Sequence, residues 1–205
     1  MKIIWHGHSC FTVESSAGTV VLDPYEDGSV PGYPPLHLTA DRVLCSHEHR
    51  DHGAKQVVRL TGNKDSYLVE TIDTFHDDAR GSKRGSNRIH ILSAEGLRIA
   101  HLGDLGCALT AEEQKMLQGL DAVMIPVGGF FTINAAEAAQ IVSQLSARVV
   151  IPMHYRDGQY GYEVIGELEP FLALCDEVVR YEAGELTLTA QTPRQTAVLS
   201  FVDRG

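Results

Sequence analysis

Three histidines and an aspartate lie within six residues of one another, and this cluster constrains the chain more than any other feature of its sequence. Residues 42–46 have the composition of a short buried strand and run directly into the sequence HEHRDH at residues 47–52. Neutral imidazoles and a carboxylate at this density suit divalent metals such as Zn²⁺ or Mn²⁺. We therefore expect a metal site on the loop that follows this strand.

Two familiar zinc motifs do not fit this spacing. A helical H-E-x-x-H site would need histidine at position 51, where the chain has Asp51, and a zinc finger would need closely spaced thiolates, whereas the four cysteines are widely separated. The remaining pattern is H-x-H-x-D-H on a loop. On such a loop, His47 and His49 can face one side and bind one ion, while Asp51 and His52 can bind a second ion. A polar helix start with surface histidines is the alternative interpretation.

Strands dominate both ends of the chain, and strands alternate with helices between them. We expect one domain over residues 1–205, with an α/β fold of two sheets and helices outside. The predicted strands are 2–6, 11–15, 19–22, 42–46, 67–71, 88–92, 97–102, 122–126, 148–152, 178–182, 185–189 and 197–202. The predicted helices are 53–60, 110–118, 135–145 and 171–175, the second and third starting at capping-box patterns.

Charge and hydropathy exclude several classes of protein. The net charge is −10, which argues against a basic nucleic-acid footprint. No apolar run approaches the roughly 18 residues that span a bilayer, and the start of the chain lacks the apolar core and cleavage site of a signal peptide. We therefore expect a cytoplasmic protein with reduced cysteines and without a nucleic-acid or membrane partner, and we leave open whether it forms a homo-oligomer.

The order of the polar motifs resembles the metallo-β-lactamase superfamily over essentially the whole chain. Its pattern of a strand-end aspartate, H-x-H-x-D-H, a lone histidine, Gly-Asp and a late histidine is matched at Asp23, 47–52, His76, 103–104 and His154. A narrower similarity is to the small lactonase-like branch that resembles ascorbate-6-phosphate lactonase and uncharacterised hydrolases, and it is carried by segments 5–11, 75–87, 101–106, 125–133 and 151–155. The resemblance implies a four-layer αββα sandwich and a metal-dependent hydrolase.

The resemblance also implies two divalent ions per chain, with zinc as the expected metal and manganese or nickel as alternatives. The first ion would be held by His47, His49 and His76, the second by Asp51, His52 and His154, and Asp104 would bridge both.

Two positions complicate this ligand set. His101 competes with His76 for the role of the third histidine, but strand alternation places Leu102 and Asp104 on one face and His101 on the other, which favours His76. Members of the resembled family often carry histidine after the GDLG segment, where this chain has Cys107. We expect Cys107 to be a small buried residue.

The expected reaction is hydrolysis by a metal-bridging hydroxide acting on a small, anionic ester, lactone or phosphodiester. Asp51 would orient this nucleophile and relay its proton. His8 would lie at the mouth of the cleft, where it contacts the substrate or supports a ligand, and we count it with Asp51 as catalytic. Asp23 would accept a hydrogen bond from a ligand imidazole and so set its tautomer.

The most basic stretch of the chain, residues 80–87, begins four residues after His76. Glycine amides and cationic side chains in such a loop are typical of an anion clamp, so we expect substrate contacts from Lys83, Arg84 and Asn87, and a hydroxyl contact from Thr132. A solvated hairpin loop is the alternative.

Three other functions use the same fold. The charge of −10 argues against a nuclease. The related redox module has glutamate in place of the second histidine of the motif, where this chain has His49. A non-catalytic metal-binding protein is disfavoured by the intact set of ligands.

Overall fold

The computed structural model describes residues 1–204, which form strands, short helices and long loops. In chain order the strands are β1 (Lys2–Trp5), β2 (Phe11–Ser15), β3 (Gly18–Leu22), β4 (Leu38–Ala40), β5 (Arg42–Leu44), β6 (Val58–Leu60), β7 (Leu68–Phe75), β8 (Ser86–Ala94), β9 (Leu97–His101), β10 (Ala122–Pro126), β11 (Val149–Met153), β12 (Val178–Tyr181), β13 (Glu185–Thr187) and β14 (Gln195–Leu199). The helices are a 3₁₀ turn at Lys55–Val57, α1 (Ala111–Met116), α2 (Ala135–Leu145) and α3 (Glu169–Leu172).

Two large sheets share one apolar core. The first has the strand order β13-β1-β2-β3-β5 and the second has the order β12-β14-β11-β10-β9-β8-β7. Strands β9, β10 and β11 run parallel, as do β3 and β5. Because the carboxyl ends of parallel strands meet at one edge of a sheet, the polar segments that follow these strands gather there. This topology confirms the predicted α/β class.

Burial along the strands explains why the sheets pack in this way. In β3, Val20 and Leu22 enter the core between the sheets, whereas Val21 faces a second apolar cluster on the other side. Strands β10 and β11 are buried at every residue, as expected for parallel strands that are covered on both faces. Helix α2 places its buried positions, Ala138 and Ile141 among them, in that core.

The predicted helix over 53–60 is wrong. Only a 3₁₀ turn forms at Lys55–Val57, and the chain continues into β6, which pairs in parallel with β4, a strand that the sequence analysis missed. Val58 lies opposite Leu38, and such a pairing between segments distant in the chain leaves no local pattern in the sequence. This pair and the loop containing Tyr25 and Tyr33 cover the outer face of the first sheet, where Val58 is buried with both tyrosines.

Other predicted elements shift at their ends. Strands β7 and β8 are longer than predicted and pair as a hairpin, so Asn87 lies on a strand instead of in the loop. Both predicted capping boxes form, at Thr110 with Glu113 and at Asn134 with Glu137. Within residues 1–204, no helix combines the length and the apolar character that crossing a bilayer requires.

Candidate metal centre

The loop that follows β5 closes on itself through its own backbone. The amides of His52 and Gly53 both donate to the carbonyl of His49, at 3.0 and 2.7 Å. A Cβ atom at Gly53 would lie 3.0 Å from the backbone of Glu48, so the tight turn favours glycine at this position. At the surface, Glu48 pairs with Lys55 and Arg50 pairs with Glu26. The histidines of the loop therefore lie on its other side.

One group of ligand candidates consists of His47, His49 and His76. Their ligand atoms lie within 4.8 Å of one another, and the ring centres of His47 and His76 are 4.8 Å apart. His76 follows the end of β7, so a distant strand supplies the third imidazole. His49 is exposed to solvent, whereas the other two are buried.

A second group consists of His8, Asp51, His52 and His154, whose ligand atoms again lie within 4.8 Å of one another. The three histidines are fully buried and Asp51 is half-buried. His154 directly follows β11 and has a left-handed backbone with φ of 54°. The structure therefore gathers residues from three separate loops at one point.

Asp104 lies between the two groups. Its carboxylate oxygens are 3.2 Å from Nε2 of His76, 3.1 Å from Nε2 of His52 and 3.4 Å from Nε2 of His154. The residue is 1% exposed and follows β9 at the shared sheet edge. One carboxylate therefore contacts histidines of both groups.

Burial and neighbouring charges set the protonation of these groups. Burial, aided by His52, lowers the pKa of His47 to about 3, so its imidazole is neutral and able to donate a lone pair at neutral pH. Burial opposes the charge on His52, but Asp104 and Asp23 beside it raise its pKa well above the usual value. Burial would likewise raise the pKa of Asp104, but His154 and His52 lower it well below its ordinary range. A metal bound at His52 would therefore displace a proton.

Buried polar atoms that make no hydrogen bond within residues 1–204 indicate that the cluster fits a metal. They are His8 Nδ1 and Nε2, His47 Nε2, His52 Nε2, His76 Nδ1, Asp104 Oδ1, and His154 Nδ1 and Nε2, several of which lie near a carboxylate without hydrogen-bond geometry. Each buried polar atom without a hydrogen bond costs about 1–3 kcal/mol. Several of these atoms face the centre of the cluster, where divalent cations would satisfy them, and imidazoles with carboxylates are donors that zinc and manganese accept.

Asp23 supports this arrangement from behind. It is fully buried after β3, with φ of 45°, and its carboxylate accepts hydrogen bonds from Nδ1 of His52 at 2.8 Å and from the amide of Ser46 at 2.6 Å. The bond to Nδ1 turns Nε2 of His52 towards the cluster, so the proton that a metal would displace is the one on Nε2. Ser46 in turn contacts Nδ1 of His47 through its hydroxyl, at 2.9 Å.

The structure brings His76, and not His101, into the cluster. Nε2 of His101 lies 2.9 Å from the carbonyl of Ser9, and its Nδ1 accepts a hydrogen bond from the amide of Gly103 at 3.2 Å. Both ring nitrogens of His101 are therefore used by the backbone. Cys107 is half-buried, its Sγ lying 3.8 Å from the carbonyl of Phe75, and it lies outside the ligand groups found within residues 1–204.

The basic loop is organised differently from the prediction. The carboxylate of Asp77 accepts hydrogen bonds from the amides of Ala79, Gly81, Lys83 and Arg84, at 2.8 to 3.0 Å. The prediction that the loop amides approach a substrate anion is wrong for these four groups, because they already bind an anion supplied by the chain itself. The amides of Gly81, Lys83 and Arg84 are therefore engaged within the loop itself.

The side chains of Lys83 and Arg84 point in different directions. Nζ of Lys83 lies 2.6 Å from Asp78, with both side chains exposed. The guanidinium of Arg84 instead lies over the ring of Phe131, 5.6 Å from its centre. Arg84 also lines a cleft of about 320 Å³ that is bordered by His47 and His49. Of the two cations, Arg84 therefore lies beside the candidate metal centre.

Two further predicted substrate contacts are engaged within the protein. Asn87 borders the cleft but is 1% exposed, and its amide donates to Thr74 and to the carbonyl of Leu102 while accepting from the amide of Asp104. Asn87 thus positions Asp104 and offers no free polar group to a substrate. The hydroxyl of Thr132 donates to the carbonyl of Ile133 at 3.2 Å.

Tyr162 lies beside the cluster and was not predicted from the sequence. Its hydroxyl donates to the carbonyl of Ser29 at 2.8 Å and lies 3.3 Å from Oδ2 of Asp51. Its ring is 5.7 Å from those of His8 and Phe131, so aromatic side chains extend from the cluster to its rim. Tyr162 belongs to a loop without a recognisable motif, and no signal in the sequence would have singled it out.

The chain is similar to known members of the metallo-β-lactamase superfamily. Residues 2–154 match the sequence profile described as a beta-lactamase superfamily domain. A UPF0173 metal-dependent hydrolase of Nitratidesulfovibrio vulgaris is 31% identical, covering 75% of this chain and 80% of that protein. A UPF0173 protein of Pyrococcus furiosus is 30% identical, covering 76% and 83%. The crystal structure of a metallo-β-lactamase superfamily protein of Thermotoga maritima, 31% identical, covers 96% of this chain and 97% of that chain with a TM-score of 0.75.

Proposed function

The chain belongs to the metallo-β-lactamase superfamily and is a metal-dependent hydrolase, and from this premise we propose that it uses two divalent ions to hydrolyse a small anionic ester, lactone or phosphodiester. The observation that carries the two-ion proposal is the position of Asp104, whose carboxylate lies within 3.4 Å of histidines from both ligand groups. The two ligand groups and Asp104 together make eight candidate ligands, which are too many for one tetrahedral ion.

In the proposed reaction, the ions would activate water and substrate, and the surrounding side chains would orient the water and accept its proton. A bound pair of ions would lower the pKa of a water from about 16 to about 7 and would polarise the carbonyl or phosphoryl group of the substrate. Asp51 would orient the attacking water and accept its proton. Its Oδ2 lies between the Tyr162 hydroxyl at 3.3 Å and Nε2 of His8 at 3.4 Å.

The position of Arg84 is the main argument for an anionic substrate. It borders the cleft beside His47 and stacks on Phe131, and stacking restricts the guanidinium to the rim. Phe130, next in the chain, is 62% exposed and has a left-handed backbone with φ of 61°. A substrate with an anionic group beside an apolar part would fit this rim. The net charge of −10 does not favour nucleic acid as the substrate.

Metal removal and restoration test the proposed function. The protein is stripped with a chelator and restored with zinc, manganese or nickel, and turnover of p-nitrophenyl acetate, a simple lactone and bis(p-nitrophenyl) phosphate is followed. We expect turnover to be lost on stripping and to be regained fully only at about two ions per chain. Full turnover at one ion per chain, or in the stripped protein, would contradict the proposal.

Substitution of Arg84 tests the anionic substrate. A charge-assisted contact is worth about 1.5–3 kcal/mol, so Arg84→Ala should raise KM for bis(p-nitrophenyl) phosphate at least about tenfold. If the contact is equally strong in the ground and transition states, kcat should change little. Turnover of the neutral p-nitrophenyl acetate and the metal content should stay near the wild-type values.

Lys83→Ala is the matched control, because the Lys83 side chain pairs with Asp78 at the surface. It removes a positive charge from the same loop and should leave both substrates nearly unaffected. If Arg84→Ala weakened the turnover of charged and neutral substrates equally, the loop would only shape the cleft. A larger effect of Lys83→Ala would contradict the assignment to Arg84.

A further inference from the structure

The turn between β1 and β2 holds His8 in a fixed position. Its backbone is left-handed, with φ of 51°, a conformation that is uncommon outside glycine. The carbonyl of His8 accepts hydrogen bonds from Nε1 of Trp5 at 3.0 Å and from the amide of His154 at 3.2 Å. Nε2 of His101 donates to the carbonyl of the next residue, Ser9. Distant parts of the chain therefore hold the turn against the loop that carries His154.

The imidazole of His8 is buried among ligand candidates. It is fully buried, its ring centre lies 4.1 Å from that of His154, and its Nε2 lies 3.4 Å from Oδ2 of Asp51 without the geometry of a hydrogen bond. Both of its ring nitrogens lack a hydrogen-bond partner within the described residues, as do both nitrogens of His154. A neutral imidazole has one lone pair, and a buried lone pair that accepts no hydrogen bond is unfavourable unless a cation accepts it.

We infer that His8 is a further protein ligand of the second ion, beside Asp51, His52 and His154. The inference rests on the proposed two-ion function. It also changes the role expected for His8, from a substrate contact at the mouth of the cleft to a buried group that binds metal. The full burial of the ring agrees with this role, since a substrate contact would need access from the cleft.

Cobalt binding tests the inference without relying on turnover. Metal-free wild-type protein, His8→Gln and His8→Ala are titrated with Co²⁺, and the bound metal is followed by visible absorption and equilibrium dialysis. The matched control is His6→Gln, because His6 is also buried in the same segment but contacts Thr12 at 2.8 Å outside the cluster.

Wild type and His6→Gln should bind about two Co²⁺ with the same two affinities and the same absorption bands. In both His8 variants, one of the two affinities should fall at least about tenfold, the scale on which groups around a metal affect its binding. The band of that ion should shift, because its ligand set has lost an imidazole, while the other ion is unchanged.

Different results would contradict the role of His8 and the two-ion function. Two Co²⁺ bound to His8→Gln with wild-type affinities and bands would overturn the inference and leave the two-ion proposal intact, even if turnover fell. Saturation of the wild type at one Co²⁺ would overturn both. If circular dichroism shows that the His8 variants do not fold, the crystal structure of the cobalt-loaded wild type decides. It must place a ring nitrogen of His8 at about the 2.0–2.1 Å of a metal–imidazole bond, and His8 outside the coordination sphere overturns the inference.

Discussion

Substitution of Asp104 with alanine should reduce the metal content from about two ions per chain to one or fewer and should lower turnover at least about 100-fold. The reason is geometric, because the carboxylate of Asp104 contacts His76 of one ligand group and His52 and His154 of the other. Loss of groups that only orient metal ligands already costs about 10–100-fold, so loss of a shared ligand should cost more. Elemental analysis and steady-state turnover measure both effects.

Two further variants make this result interpretable. Asp104→Asn keeps the shape and one oxygen donor but removes the charge, and we expect it to weaken metal binding as well. Asp176→Ala removes an exposed carboxylate and should leave metal content and turnover unchanged. The two-ion proposal would be wrong if Asp104→Ala retained about two tightly bound ions. It would also be wrong if the wild type saturated at one ion and Asp104→Ala did not change this value.

His76 and His101 should respond in opposite ways to substitution with alanine. His76→Ala should lower metal content and abolish measurable turnover, because Nε2 of His76 lies 3.2 Å from Asp104 within the cluster. His101→Ala should mainly lower the free energy of unfolding. Its ring nitrogens serve the carbonyl of Ser9 and the amide of Gly103, and each buried group left without a partner costs about 1–3 kcal/mol.

The pair of variants is its own control, since both remove a buried imidazole from the end of a strand in the same sheet. Urea denaturation of the metal-free proteins measures stability apart from metal binding, and elemental analysis measures the ions held by the folded protein. Loss of metal in His101→Ala with full occupancy in His76→Ala would show that the third histidine had been assigned to the wrong strand end.

The metal-ligand chemistry could be predicted where it is dense in the sequence. The spacing of His47, His49, Asp51 and His52 indicates divalent metal on its own, since few other sites need three imidazoles within six residues. Asp104 and His154 stand alone in the chain, and only the resemblance to a family marked them as ligands. The structure places both with the motif, because the strands that precede them end at the same sheet edge.

Local signals also predicted most of the strands and the capped helices, because caps and apolar alternation act over a few residues. They failed at 53–60, where the chain pairs with β4 instead of forming a helix. A parallel pairing of this kind depends on a partner elsewhere in the chain, so tertiary contacts override the local preference. The basic loop shows the same limit, since its composition predicts an anion but not that Asp77 supplies it.

The amino-acid sequence by itself thus predicted the α/β class and the metal chemistry, because both depend on residue types at fixed spacing, and the order of its motifs carried the resemblance to a family of hydrolases. Only the tertiary structure decided which isolated groups reach the cluster. In the folded chain His8 lies beside His154, Arg84 lines the cleft, and Oδ1 of Asn87 accepts a hydrogen bond from the amide of Asp104. These contacts join residues far apart in the chain, and distances between such residues follow from the packing of the two sheets, which no local pattern encodes.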